Sequence, residues 1–215
     1  IAQGIDQDNS WLALDYLVFT SSRVVKGQAA LGEALAAMHG CSADAFGWYR
    51  PNYIGSNRQP NSWTADCPDF IRKYRIGFQL EMAQRAGLHG SISDRISLLL
   101  AELHRFYDNY KPAPSLLHGD LWSGNYGVVD DIPVIFDPAV YYGDREADIA
   151  MTELFGGFSA AFYSAYRTAW QLDPGYDTRR DLHQLYHVLN HFNLFGGAYA
   201  RQALALTNRL LAAIS

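Results

Sequence analysis

The chain has 215 residues, 49% of them hydrophobic, and a net charge of −5 from 17 Lys and Arg against 22 Asp and Glu. This is enough apolar content for the core of one large or two small domains, and without a long basic run neither nucleic acid nor an anionic membrane is expected as the main partner. No stretch approaches the roughly 20 apolar residues of a spanning helix, no secretory signal opens the chain, and Cys41 and Cys67 lack metal-ligand spacing or disulfide-scaffold density, so a cytoplasmic protein is expected.

Residues 1–20 hold two short strand patterns, the second over 11–17, closed by a polar break at Thr20-Ser21-Ser22. Leu31, Leu35 and Met38 at i, i+4 and i+7 predict an amphipathic helix ending at Gly40, with His39 as a dipole-compensating end residue. Lys26, the only lysine in the first 72 residues, falls in this helical pattern. Residues 41–68 read as long connections, whose Tyr53-Ile54-Gly55-Ser56-Asn57 and Trp63 either line a groove or pack loops. A helix is predicted from Pro68 to Gly87, with Phe70, Tyr74, Phe78 and Met82 as its core stripe. A long helix then starts at Ser91 as cap, carries Ile92, Ile96, Leu99, Leu103, Phe106 and Tyr110 on one face, and breaks at Lys111-Pro112. It is expected to buttress the segment that follows.

That segment, Leu116-Leu117-His118-Gly119-Asp120-Leu121-Trp122-Ser123-Gly124-Asn125, carries the chemistry. Asp120 and Asn125 have the Asp-x-x-x-x-Asn spacing by which a kinase loop places a base and a magnesium ligand on one turn. Residues 126–136 read as a hairpin, which returns its far end, Asp137-Pro138, to its near end. Phosphoryl transfer uses these parts: a carboxylate that orients the acceptor hydroxyl, and oxygen ligands that hold Mg²⁺ against the phosphates of ATP. Singly, each is a common turn or cap residue. Together they predict Asp120 as base and Asn125 with Asp137 as metal ligands. His118 is expected to shape the loop, and Trp122 to stack on substrate or to pack. Gly119 replaces the arginine with which protein kinases pair an activation-loop phosphate.

Asp144-Arg145-Glu146-Ala147-Asp148 opens a helix running to about Leu154, with acidic residues where the positive helix end favours them. A helix over 158–170, a turn at Asp173-Pro174-Gly175-Tyr176 and an α-hairpin over about 178–195 and 198–214 complete the chain. His183, His187 and His191 recur at i, i+4 and i+8 in the hairpin's first helix, a spacing open to metal. With no Glu between them and a hard cation implied elsewhere, a structural or substrate-lining role is preferred.

Residues 116–125, the run from Asp137 through Asp148 to Phe158, the run from Leu185 to Gly197, and upstream Ile54-Gly55-Ser56-Asn57 and Phe78-Gln79-Leu80 resemble the fructosamine kinase (ketosamine-3-kinase) family over nearly the whole chain. The resemblance implies an α+β, mostly α fold class: a protein-kinase-like C-terminal lobe over 21–215, with 1–20 as the end of the N-terminal lobe and the hinge. The adenine of ATP would then sit on the backbone of Asp15, Tyr16 and Leu17, Asp148 would hydrogen-bond the catalytic loop, and Arg145 would face a phosphate or pair with a carboxylate. The implied substrate is the sugar of a ketosamine such as fructosyl-lysine or ribulosyl-lysine. Phosphorylation of its 3-hydroxyl gives an unstable ester that releases the amine, which is deglycation. A kinase N-terminal lobe also supplies a glycine-rich loop and a Lys/Glu pair. Neither precedes Asp120, so that lobe is expected to be largely missing and the 215 residues alone to bind ATP weakly without turnover. Rival readings are an aminoglycoside or choline kinase on the same scaffold and a catalytically incompetent lobe. Metal-assisted hydrolysis by His118, Asp120 and Asp137 lacks protein ligands.

Overall fold

The computed structural model describes residues 1–7, 9–19 and 25–215. Strands β1 (Ala2–Asp6) and β2 (Asn9–Ala13) pair antiparallel, with Ala2 opposite Ala13. The second strand pattern thus ends at Ala13, because a ladder runs only as far as its partner, and residues 14–19 continue without regular structure. The polar break at Thr20-Ser21-Ser22, and with it the division of the chain at residue 20, lies outside the described residues.

Helix α1 (Val25–His39) contains Lys26 and is followed by a hairpin of β3 (Asn52–Ile54) and β4 (Asn57–Gln59). Next comes α2 (Cys67–Phe70), continued by a π-helical turn over Ile71–Ile76 and by α3 (Gly77–Arg85). The Asp66 side chain caps this run by accepting from the Asp69 amide. Helix α4 (Ser91–Ala101) gives way to a 3-10 turn over Leu103–Tyr107. Strand β5 (Ser115–Leu117) enters the 118–125 loop, β6 (Tyr126–Val129) and β7 (Ile132–Ile135) form the hairpin, and β8 (Tyr141–Gly143) comes back to pair with β5. Four helices finish the chain: α5 (Glu146–Leu154), α6 (Ala160–Ala169), α7 (Tyr176–Phe195) and α8 (Tyr199–Ala213).

Two helix predictions need correction. The π turn inserts extra residues into the helical period, so the buried face past Phe70 becomes Ile71, Arg75, Ile76, Gln79, Leu80 and Ala83, leaving Tyr74, Phe78 and Met82 half-buried. It also aims Arg75 inward, where the guanidinium stacks on Tyr141 at 3.8 Å and donates to Asn61. The long helix after residue 90 is not continuous: Glu102, at φ −100° and ψ 8°, ends α4, and Ser91 is its first residue rather than its cap. α4 packs on α3 and α8. Support for the 118–125 loop comes instead from α5.

That loop lies between two cores. Leu117 belongs to the larger one, built on the 67–107 helices with α7 and α8. Leu121, four residues on, belongs to the smaller one, with Leu31 and Leu35 of α1 and Phe162 and Tyr166 of α6. Both leucines are at most 1% exposed, each worth roughly 1.5–3 kcal/mol of burial. The loop is therefore tethered at its start and at its middle by packing before any polar contact is counted.

Candidate active site

The conformation of 118–125 follows from a glycine and a buried carboxylate. Gly119 has φ +80°, and a Cβ there would stand 2.2 Å from the Ala139 carbonyl oxygen. No arginine fits at this position. Beneath it, the Asp148 carboxylate accepts from the backbone amides of His118 at 2.7 Å and Gly119 at 2.8 Å. His118 completes the turn: its Nε2 donates to the Phe136 carbonyl at 2.9 Å and its Nδ1 accepts from the Asp120 amide at 3.3 Å. Burial holds its pKa below the usual value, as this neutral tautomer requires.

The hairpin brings Asn125 and Asp137 together. Phe136 N donates to Asn125 O at 3.1 Å, and Asn125 Nδ2 donates to the carbonyls of Asp120 and Asp137 at 2.9 and 3.4 Å. With its nitrogen so committed, the Asn125 amide keeps its oxygen for another partner. Asp137 sits at φ +53° with an exposed side chain. The pair offers oxygen donors alone, which suits a hard divalent cation such as Mg²⁺.

Asp120 stands on the other side of the loop, its side chain 23% exposed. Burial first, then the neighbouring Asp148 and Asp137 charges, push its pKa up to about 6. It opens into a pocket of about 520 Å³ lined by Gly55, Trp122, Phe155, Asn190, His191, Phe195 and Tyr199, among others. The Trp122 ring covers Gly124, so it packs and lines at once. The Phe155, Phe195 and Tyr199 rings surround His191 at 5.1–5.7 Å. These aromatics were not singled out in the sequence; the histidine spacing was the one signal pointing to them.

Other predicted positions lie elsewhere. Asp15, Tyr16 and Leu17 are exposed in the irregular segment after β2, whose end reaches the hairpin through Phe19, stacked on Phe136 at 5.5 Å. Trp63 is on a different wall, 6.1 Å from Tyr142, whereas Gly55 joins the pocket. Among the described residues Arg145 neither pairs with a carboxylate nor lines the Asp120 pocket: it is buried, stacked on Trp170 at 4.2 Å, and donates to Tyr166 Oη and to the carbonyls of Trp170 and Gln171.

The acidic residues around it do more than favour the helix end, although Asp144 does accept there from the Glu146 amide at 3.0 Å. Asp144 accepts from Tyr110 at 3.0 Å and lies 3.5 Å from His183, and Glu146 is gripped by Arg179 at 2.8 and 3.0 Å. His39 likewise is a buried partner of Asp148, not a surface helix end. The three α7 histidines separate: His183 to Asp144, His187 to the underside of Asp120, and His191 to the pocket. Among the described residues, Asp144, Glu146 and His183 form the one cluster with metal-ligand proximity. The Arg179 guanidinium already occupies both oxygens of Glu146, and the cluster reads as a buried ion network.

This scaffold has the protein-kinase-like fold. An aminoglycoside phosphotransferase structure overlays 93% of the chain with a TM-score of 0.57 at 16% identity, a likeness of fold alone. More specifically, the chain belongs to the fructosamine kinase family, whose model matches residues 1–213. A Synechocystis protein designated a probable ketoamine kinase is 43% identical over 213 residues, covering 98% of this chain and 71% of its own length. The chloroplastic protein-ribulosamine 3-kinase of Oryza sativa subsp. indica is 42% identical over 94% of this chain and 59% of its own. The crystal structure of a protein assigned as a fructosamine-3-kinase from Haemophilus somnus gives a TM-score of 0.88 at 32% identity, over 98% of this chain and 71% of that one. No described helix is long and apolar enough to cross a membrane.

Proposed function

We propose that the protein is an ATP-dependent ketosamine kinase that phosphorylates the sugar 3-hydroxyl of substrates such as fructosyl-lysine or ribulosyl-lysine, with deglycation as the outcome. The observation that carries this reading is the position of Asp120, a partly desolvated carboxylate lining the aromatic pocket and on the same loop as Asn125, to which the hairpin returns Asp137. Asp120 orients the hydroxyl and takes its proton as the oxygen bonds to the γ-phosphorus and the bond to the β-phosphate oxygen breaks, releasing ADP. Asn125 and Asp137 would hold Mg²⁺, which when bound neutralises charge on the phosphates. Trp122 and the rings around His191 hold the ketosamine, and the backbone of Asp15, Tyr16 and Leu17 takes the adenine. His118 and Asp148 fix the loop, and Arg145 supports Asp148 from behind.

The proposal concerns the complete polypeptide. For the 215 residues alone we retain weak ATP binding without turnover, which magnesium-dependent ADP release by them would overturn. The reading as a whole is tested by ³¹P NMR of the complete polypeptide with Mg-ATP and fructosyl-lysine. A phosphate monoester at C3 is expected; ATP left intact with every ketosamine offered would sink it.

A further inference from the structure

The Asp120 backbone is fully engaged, its N–H on His118 and its carbonyl on Asn125 and Trp122. Its carboxylate accepts no hydrogen bond from any described residue. Facing it is a donor in the same condition: His187 Nδ1 is buried, has no hydrogen-bond partner among the described residues, and lies 3.9 Å from Asp120 Oδ1. His187 projects from the middle of α7, 2% exposed, with its ring edge-on to Tyr186 at 5.0 Å. A buried polar atom left unpaired is costly, and native structures rarely keep one without a use.

We propose that His187 is a positioning residue for Asp120, its Nδ1–H donating to Oδ1 so that the carboxylate plane is fixed and Oδ2 is left for the acceptor hydroxyl. This rests on the phosphotransfer reading. The separation must close by about 1 Å to reach an ordinary N–H···O distance, within reach of a small rotation of the Asp120 side chain. Burial keeps the imidazole neutral, its pKa drawn down to about 3, so it offers one N–H and one lone pair. The anion opposite selects the tautomer with hydrogen on Nδ1. The other α7 histidines are engaged elsewhere, His183 beside Asp144 and His191 through Nδ1 on the His187 carbonyl at 2.8 Å.

The test compares His187→Leu, which cannot donate, with His187→Asn, whose amide nitrogen can stand where Nδ1 stood. In the complete polypeptide, His187→Leu should lower kcat about tenfold or more with KM for ATP and ketosamine nearly unchanged, and His187→Asn should restore most of it. Full kcat in the leucine variant, or a loss carried by KM alone, would overturn the assignment. Because leucine could disturb the α7 packing, ¹⁵N NMR of the unmodified protein gives a second reading: an Nδ1–H tautomer whose signals move in Asp120→Asn is expected, and an Nε2–H tautomer contradicts it. Absence of turnover in the unmodified protein would fault the phosphotransfer reading instead, and the tautomer would still decide the hydrogen bond.

Discussion

His39 Nε2 stands 3.1 Å from Asp148 Oδ2, with both side chains fully buried. The contact is one link in a chain. Arg145 donates to Tyr166 Oη, Tyr166 Oη lies 2.8 Å from His39 Nδ1, and Asp148 passes the connection to the amides of His118 and Gly119. The assignment that satisfies every member has Tyr166 donating to Nδ1 and His39 donating from Nε2. Residues from α1, α5 and α6 thus converge on one turn of backbone.

Removing the carboxylate strands three donors at once. Asp148→Ala is expected to cost about 3 kcal/mol or more, read as a fall in the urea midpoint at unchanged slope. Although burial raises the Asp148 pKa, the hydrogen bonds it accepts from His39 and from the Gly119 amide hold it below its ordinary 3.8. Its contribution is therefore complete above that value and lost as pH falls through the lowered one. A variant as stable as the parent at pH 7 would show that the loop is held by packing alone.

Asp120→Asn should separate stability from activity. The folded pKa of about 6 lies above the ordinary 3.8, so ionised Asp120 opposes folding, not at all below 3.8 and fully above about 6. In metal-free buffer at pH 8 the asparagine variant should be the more stable by roughly 3 kcal/mol, with no gain near pH 3.5, while turnover falls by about a thousandfold or more. Equal stabilities at pH 8 would contradict the desolvated environment.

The same pKa sets a pH profile. If Asp120 takes the hydroxyl proton it must be ionised, so kcat/KM should fall about tenfold per unit below roughly pH 6. A profile flat down to pH 5 would assign the proton to another group.

Trp122→Ala tests the pocket. KM for the ketosamine should rise about tenfold, near 1.4 kcal/mol, with KM for ATP unchanged. The reverse pattern would move Trp122 out of the acceptor pocket.

Arg145→Lys tests the reassignment of a residue first placed near phosphate or carboxylate. Lysine keeps the charge but loses the planar stack on Trp170 and the fork of hydrogen bonds. A drop of about 1–2 kcal/mol in stability, with KM for ATP unchanged, is expected; a raised KM for ATP at unaltered stability would restore the phosphate role.

What the sequence made legible was local. The hairpin after Asn125 was readable because its alternation and turn lie within a dozen residues, and that span alone brings Asp137 back to Asn125. The helix boundaries at Phe70 and Ala101 were not, because a lone glycine inside a helical pattern, Gly77, is all that marks the π turn, and the 3-10 turn over Leu103–Tyr107 contains neither glycine nor proline. His39 and Asp148 are 109 residues apart in sequence, and each has an adequate local explanation as a helix-end charge. Only packing of α1 against α6 and β5, around a small core that Ile149 of α5 shares, turns them into a pair. The pocket aromatics failed for the same reason: Phe155, Phe195 and Tyr199 come from three elements, and their convergence on His191 is a tertiary fact.

The most direct test of the account incubates the complete polypeptide, and its Asp120→Asn variant, with Mg-ATP and in turn fructosyl-lysine, ribulosyl-lysine, an aminoglycoside and choline, and follows substrate mass. The account predicts the gain of one phosphoryl group on a ketosamine, absent in the variant. Gain on the aminoglycoside or choline alone, or equal gain in the variant, would contradict it.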